Sequence, residues 1–421
     1  MNKHIHMLVQ LQLSNYTLEG KFYLTGDSNW RLFVTKASYM IQCNANMSFV
    51  VIVPERDQCI EDLEKELSDA GLSDYVKLVH TPIVPNAVVT RFDFSWTAFR
   101  SLFSQRELQE FTHVYVNDPM QLRHFKALFY IAKAQPVFIL QTHFLDSPIS
   151  KIVDNEVSYW HGTVEACIKA DKCIWHCRSM LELFEQALNV DYQAHVISTI
   201  IDKSMIWKSG YSIAEIRKDV LCENLRFDPK DLDGKVVVWV PNRIGGLGKS
   251  FDYTNNGKFL FDIVPELWKQ RQDFVVIAGN PNQKISCDEI SERCPAYKKI
   301  VSGPLTRDEY RWLSSRADIV VGLYVNDTNG GLASLEAIEH TAIPLFPDVY
   351  EYKTYFDAVN WPSNLRVKPD LSNTTTVLSR LLDQRTKLVR SSRVTKLRNF
   401  IRHYAAYESI TVLAMDKLDL L

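Results

Sequence analysis

The chain lacks most of the features that announce a function outright. No run of ~18 consecutive apolar residues occurs, so no transmembrane helix and no membrane insertion is expected. Residues 1–25 hold no long apolar core followed by a small-residue cleavage site, so no secretory leader is expected either. Charge of one sign is missing too: the net charge is −2, which gives the whole molecule no pull toward nucleic acid or membrane. The eight cysteines (43, 59, 167, 173, 177, 222, 287 and 294) form no CxxC pair and are too sparse for a disulfide scaffold. They read as reduced thiols of a cytoplasmic protein. Repeats and low-complexity segments are absent. What remains is a chain of 421 residues with ordinary apolar content, enough for two domains that each bury a core.

Strand-like and helix-like segments alternate along it. Residues 5–13, 48–53, 75–79, 112–116, 136–141 and 171–176 read as short buried strands, and 57–71, 121–134 and 178–189 have helical spacing of apolar positions. His195-Val196-Ile197-Ser198-Thr199 reads as the strand closing this series. A second series has strands at 235–240, 274–278, Ile300-Val301, 318–321 and 342–346, with helices at 257–270, 306–316 and 374–384. A charged, irregular stretch at 203–233 joins the two. Alternation of this kind implies an α/β protein with parallel sheets covered on both faces. Two series imply two facing Rossmann-like domains with ligands bound in an interdomain cleft, at the carboxyl ends of the strands.

Residues 327–346, DTNGGLASLEAIEHTAIPLF, carry the most information. Asp327, Thr328 and Asn329 are cap-type residues, and Gly330 and Gly331 allow close backbone approach to a ligand. Leu332, Leu335, Ala337 and Ile338 give the following helix an apolar side. Such a helix start presents N–H groups and a positive dipole end that suit a diphosphate. Glu336 follows Gly331 by five residues, about 7–8 Å along a helix axis, near the span from a sugar-nucleotide's phosphates to its ribose. A capped helix with a surface glutamate is the plain alternative.

Arg243 follows the strand at 235–240, and Lys258 comes fifteen residues later at the next helix start; both can reach a diphosphate and offset charge on a leaving nucleotide. Lys249 competes for the second role. The run RIGGLGKS (243–250) is not a phosphate loop, because GxxxxGK[ST] needs glycine where Arg243 stands. His143, just past the strand at 136–141, can hydrogen-bond a sugar hydroxyl or orient an acceptor, with Asp118 and Asp146 as weaker acid/base candidates. His161, Cys167, Cys173, His176 and Cys177 lie close in sequence, but no pair has finger or ribbon spacing, so no metal is expected. Residues 385–403 carry seven Lys/Arg and no acid; as a basic helix, with Arg390, Arg393 and Lys396, this stretch could meet nucleic-acid phosphates, or form a solvated helix face.

Together these residues resemble the GT-B retaining glycosyltransferases of the family 4-like group, most clearly over 235–360 and more weakly over 112–200. The resemblance implies that Arg243 and Lys258 grip the donor diphosphate, that Gly303, Pro304 and Leu305 in GPLTRDEYRWLSSRADIVVGLY lie near the base, and that Glu336 is the second Glu of an E-x7-E motif and holds ribose. His143 matches the family's first-domain histidine. The first Glu of the motif is replaced by Thr328, beside Asp327, and the usual glycine-rich loop is absent, since residues 14–30 read NYTLEGKFYLTGDSNWR. NRIGG, the degenerate E-x7-E and HTAIPLF are similar in style to phage DNA-base α-glycosyltransferases.

The resemblance implies a retaining transfer of a hexose or pentose from a nucleotide-sugar, a UDP-sugar first, to a hydroxyl, with no obligatory cofactor or metal. A hydroxymethylated pyrimidine in double-stranded DNA is the favoured acceptor; a cell-surface glycan, a lipid and a small molecule are the others. A sugar-nucleotide epimerase and a non-catalytic nucleotide-sugar-binding protein of the same fold are the rival classes. The expected domains are an acceptor domain over 1–205, a donor domain over 206–400, and a helix in 401–421 packing back on the first.

Overall fold

The computed structural model describes residues 4–11, 13, 17–18, 21–22, 28–55, 60–85, 92–94, 99–142, 159–221, 223, 225–243, 256–280, 287–300, 305–325 and 331–421. The chain divides into two compact units: Met1–Lys151 with Asn155–Gly210 and Tyr407–Leu421, and Ile152–Asp154 with Tyr211–Ala406.

The first unit is built on seven parallel strands: β1 (Ile5–Gln10), β2 (Met47–Pro54), β3 (Val76–Thr81), β4 (His113–Val116), β5 (Val137–Thr142), β6 (Lys172–Trp175) and β7 (Ser204–Ile206). Their order is β7-β6-β5-β4-β1-β2-β3, so the winding reverses between β1 and β4. Successive strand side chains point to opposite faces, and this splits the apolar runs into two cores. Leu8, Val114, Val116 and Leu140 pack beneath α3 (Pro119–Ile131), α4 (Tyr159–Lys169) and α5 (Arg178–Asp191). Met7, Val9, Val51 and Ile139 face α1 (Ser28–Cys43) and α2 (Ile60–Asp69) on the other side. Burial on both faces explains why β2 reads as nearly continuous apolar sequence.

The second unit holds β8 (Val236–Arg243), β9 (Phe274–Asn280), β10 (Ile319–Val321) and β11 (Ile343–Leu345), parallel and ordered β9-β8-β10-β11. Its helices include α7 (Arg307–Arg316), α8 (Leu332–Glu339), α9 (Tyr350–Ala358), α10 (Thr374–Val389) and α11 (Ser392–Ala405). The last helix, α12 (Tyr407–Lys417), belongs to the first unit and lies on α1. There the Tyr39 and Tyr407 rings stack at 5.8 Å, and Asn44 Nδ2 donates to the Leu420 carbonyl at 2.9 Å.

The α/β class and the GT-B layout of two Rossmann-like units with parallel sheets are those expected from the sequence. Four local readings need correction. Residues 195–199 belong to a helix, α6 (Ala194–Ile201), whose Ile197 and Ile200 turn to one buried side; the strand comes after it, as β7. Ile300 lies in no strand, and Val301 is outside the described residues. Residues 203–233 are not irregular throughout, since β7, a helical turn at Ile213–Ile216 and a 3₁₀ turn at Pro229–Leu232 occupy part of them. The basic stretch is two helices, α10 and α11, broken at Arg390-Ser391.

Candidate functional site

In the second unit the winding reverses between β8 and β10, and ligands of open parallel sheets gather at the carboxyl ends on either side of such a reversal. β8 ends at Arg243, whose backbone pairs with Asn280 after a register shift between Val240 and Arg243. Gly322 directly follows β10, and a Cβ there would meet the Tyr352 hydroxyl at 2.7 Å and Ser334 Oγ at 2.9 Å. The crowding at this point leaves room for glycine alone.

Gly331 caps α8 in the left-handed region, φ +51° and ψ +85°. Ser334, fully buried in the first turn, donates its N–H to the Gly331 carbonyl at 3.0 Å and its hydroxyl to Val321 O at 3.4 Å. The helix start is thereby fastened to the end of β10. Leu332 opens the helix, while Asp327, Thr328, Asn329 and Gly330 lie outside the described residues.

Glu336 sits one turn further on, half-buried, and its carboxylate is held by Arg307 in a two-pronged pair, Nη1 to Oε2 at 3.0 Å and Nη2 to Oε1 at 3.2 Å. Arg307 is the first residue of α7, whose N-cap Thr306 forms a capping box with Glu309. Its guanidinium lies 5.5 Å from the Tyr310 ring centroid, and the Tyr310 hydroxyl donates to Ala333 O at 2.9 Å. Two helix starts are thus laced together around one carboxylate. A carboxylate offers about four acceptor directions, so the arginine leaves some of them open. Leu305, just ahead of α7, packs partly buried on the core; Gly303 lies outside the described residues. Lys258 is exposed at the end of the turn Asn256–Lys258, where a π-helical stretch, Phe259–Ile263, begins.

Arg307 is invisible in the sequence, because its partner lies 29 residues away and the first arginine of TRDEYR carries no signal by itself. Glu309 belongs to the same class. It is buried and pairs with Arg226, Nε at 2.7 Å and Nη2 at 2.6 Å. Burial works against its charge, but the Arg226 guanidinium and the N–H groups of Thr306 and Arg226 outweigh it and hold the pKa at about 2.

In the first unit β5 ends at Gln141-Thr142; His143 and Asp146 lie beyond the described residues, as does Lys249 in the second unit. Asp118 is engaged as a helix cap, its carboxylate accepting from Met120 N–H at 2.9 Å. Gln141 is the centre of a buried polar cluster that sequence spacing does not reveal. Its Oε1 accepts from Lys36 Nζ at 2.9 Å and from the Tyr115 hydroxyl. Its Nε2 meets His176 Nε2 at 3.1 Å, and Ser209 bonds the other ring nitrogen. Cys167, Cys173 and Cys177 are buried, and among the described residues no group of His, Cys, Asp or Glu could hold a metal ion. None of the helices described is long and apolar enough to cross a membrane. In the basic stretch Arg385 pairs with Asp318 at 3.0 Å, and Arg402 with the fully buried Glu339. Arg390, Arg393 and Lys396 are exposed.

No protein-family model matches the sequence, and no curated protein matches it. Solved structures do resemble it over its whole length. Anabaena Alr3699/HepE in complex with UDP-glucose matches with a TM-score of 0.65 at 12% identity, covering 99% of this chain and 100% of that one. A glycosyltransferase from Rickettsia africae ESF-5 gives 0.62 at 12%, covering 99% and 98%. A trehalose-6-phosphate protein from E. coli bound with UDP-2-fluoro glucose gives 0.59 at 10%, covering 98% of each. At such identity the likeness is one of fold.

Proposed function

We propose that this protein is a glycosyltransferase that moves a hexose or pentose from a nucleotide-sugar, a UDP-sugar, to a hydroxyl group with retention. The observation that carries the reading is the full-length likeness to a protein held with UDP-glucose. A glycine-capped helix at the winding reversal of the second unit, with Glu336 one turn along it, supports it.

In this reading the second unit holds the donor and the first the acceptor. Arg243 and Lys258, with the amides around Gly330, Gly331 and Leu332, neutralise charge gathering on the departing diphosphate. Glu336 accepts from the ribose hydroxyls while Arg307 keeps it aimed. Gly303 and Leu305 border the base, Asp327, Thr328 and Asn329 face the donor sugar, and His143 contacts sugar or acceptor. No obligatory metal or cofactor takes part. The described cysteines are free thiols, which fits a reducing cytoplasm, the host's if the protein is phage-encoded. The acceptor is a hydroxymethylated pyrimidine in double-stranded DNA, for which the exposed Arg390, Arg393 and Lys396 bind phosphates.

The test is incubation with a panel of nucleotide-sugars and DNA carrying hydroxymethylcytosine or hydroxymethyluracil, digestion to nucleosides and mass measurement. A hexose- or pentose-sized gain on the modified base is the expected result. Release of nucleotide diphosphate without that gain keeps the transferase and moves the acceptor to glycan, lipid or small molecule. Donor turnover with no acceptor present would make it an epimerase, and binding without turnover would end the enzymatic reading. Glu336→Ala and Arg243→Ala should each weaken donor use strongly; wild-type activity in both would overturn the donor site.

A further inference from the structure

Between α1 and the sheet of the first unit lies a cavity of about 30 Å³, room for about two water-sized centres. Most of its wall is apolar, from β1, α1 and the C-terminal Leu418 and Leu420. Into this wall comes Lys36, 6% exposed, from the middle of α1. Its ammonium lies 4.2 Å from the centroid of the Trp207 ring and 5.8 Å from that of Tyr115, and donates to Gln141 Oε1 at 2.9 Å.

The polar lining is rich in donors and poor in free acceptors. Gln141 Oε1 already receives both Lys36 and the Tyr115 hydroxyl. The indole N–H of Trp207, 1% exposed, has no hydrogen-bond partner among the described residues. Asn29 and Asn117 add amide groups to the wall. Among the described residues, the ionisable groups on the elements around Lys36 are Arg31, Tyr39 and Cys43 on α1, His6 on β1, His113 and Tyr115 on β4, His176 after β6, Lys208 beside Trp207, and Tyr407, Glu408, Asp416 and Lys417 on α12. The acids among these are Glu408, engaged by the Tyr39 hydroxyl at the exposed edge, and Asp416, exposed near the end of α12.

A buried ammonium normally has a counter-charge, and an isolated one tends to lose its proton instead. The geometry points to a site for one small monovalent anion, of the size of formate or chloride, seated in this cavity against the Lys36 ammonium. The anion supplies a counter-charge that the described acids do not, and the small volume favours ions of this size. Without an anion, burial pulls Lys36 down to about 7. Binding is therefore tied to protonation of Lys36: affinity is full below that value and weakens about tenfold for each pH unit above it.

The experiment uses the full chain and follows Trp fluorescence and thermal midpoint against sodium formate and sodium chloride from pH 6 to 9, with sulfate at matched ionic strength. The expected result is saturable stabilisation by formate, chloride or both, none beyond the salt effect by sulfate, and about fiftyfold weaker apparent affinity at pH 9 than at pH 7. Formate acting alone identifies a carboxylate site, and both acting identifies a general small-anion site. Trp207→Phe keeps a ring beneath the ammonium and should leave the response in place, while Lys36→Met should abolish it. Equal stabilisation by sulfate, or a pH-independent response, overturns the site, as does an unchanged response in a folded Lys36→Met.

Discussion

Gly331 occupies a backbone conformation that an L side chain enters only at a cost, and its Cβ position is already filled. A methyl there would lie 2.8 Å from Tyr324 Cε2 and 2.9 Å from the Tyr352 hydroxyl. Gly234 shares the positive φ, at +69°, but has nothing within 4 Å of its Cβ position. Gly331→Ala should therefore lose about 2–3 kcal/mol in chemical denaturation, and Gly234→Ala about 1 kcal/mol. Equal losses would mean the crowding at Gly331 is relieved without strain. A second residue-scale prediction concerns acid. Glu309 has a folded pKa near 2, below its ordinary value, so its pair with Arg226 stabilises the fold fully above about pH 4.3 and fades as pH falls toward 2. Arg226→Met should flatten that limb of the stability–pH curve, read by denaturation midpoints between pH 5 and 2.5. The glycines before α8 can be read in the sequence because the turn chemistry is local. The partners of Glu309 cannot, since Arg226 is 83 residues away.

Elements are legible wherever burial on both faces writes a continuous apolar run, as in β2 and β8, and less so where a short helix imitates a strand. Val196, Ile197, Ile200 and Ile201 in α6 show the difficulty: five residues of it look β-like, and only the full turn shows a helical side. α1 is hard to see in the sequence because its inward face mixes Trp30, Phe33 and Ala37 with Lys36 and Asn29, which blurs the period. The pairing of α7 with α8 carries a prediction of its own. Arg307 takes two directions of the Glu336 carboxylate; if Glu336 holds the donor's ribose as proposed, Arg307 acts on donor affinity through it. Arg307→Met should raise the KM for the nucleotide-sugar about tenfold, one charge-assisted hydrogen bond's worth, with kcat nearly unchanged. A fall in kcat at constant KM would assign Arg307 to the chemical step instead.

At the scale of the molecule, a net charge of −2 hides an uneven surface. Seven cations fall within 385–403 without an acid among them, yet they do not form one basic ridge. Arg385 and Arg402 are drawn inward to Asp318 and Glu339 and belong to the fold. Arg390, Arg393 and Lys396 stay exposed around the break between α10 and α11, and these remain for a polyanion. The composition of the stretch is plain in the sequence; its division into structural and solvent-facing cations is not, because that depends on which acids the fold brings near. If duplex DNA is the acceptor, replacing Arg390, Arg393 and Lys396 together by Glu should weaken binding uniformly across sequences. The dependence of log Kd on log salt should flatten by about 0.9 for each phosphate no longer neutralised. Release of nucleotide diphosphate to water should stay unchanged, since the proposed donor site does not include these side chains, and so should the thermal midpoint. A triple variant that binds and modifies DNA as the wild type does would place the nucleic-acid surface elsewhere or remove DNA as the acceptor. Loss of DNA modification with donor turnover intact would tie this face to the acceptor.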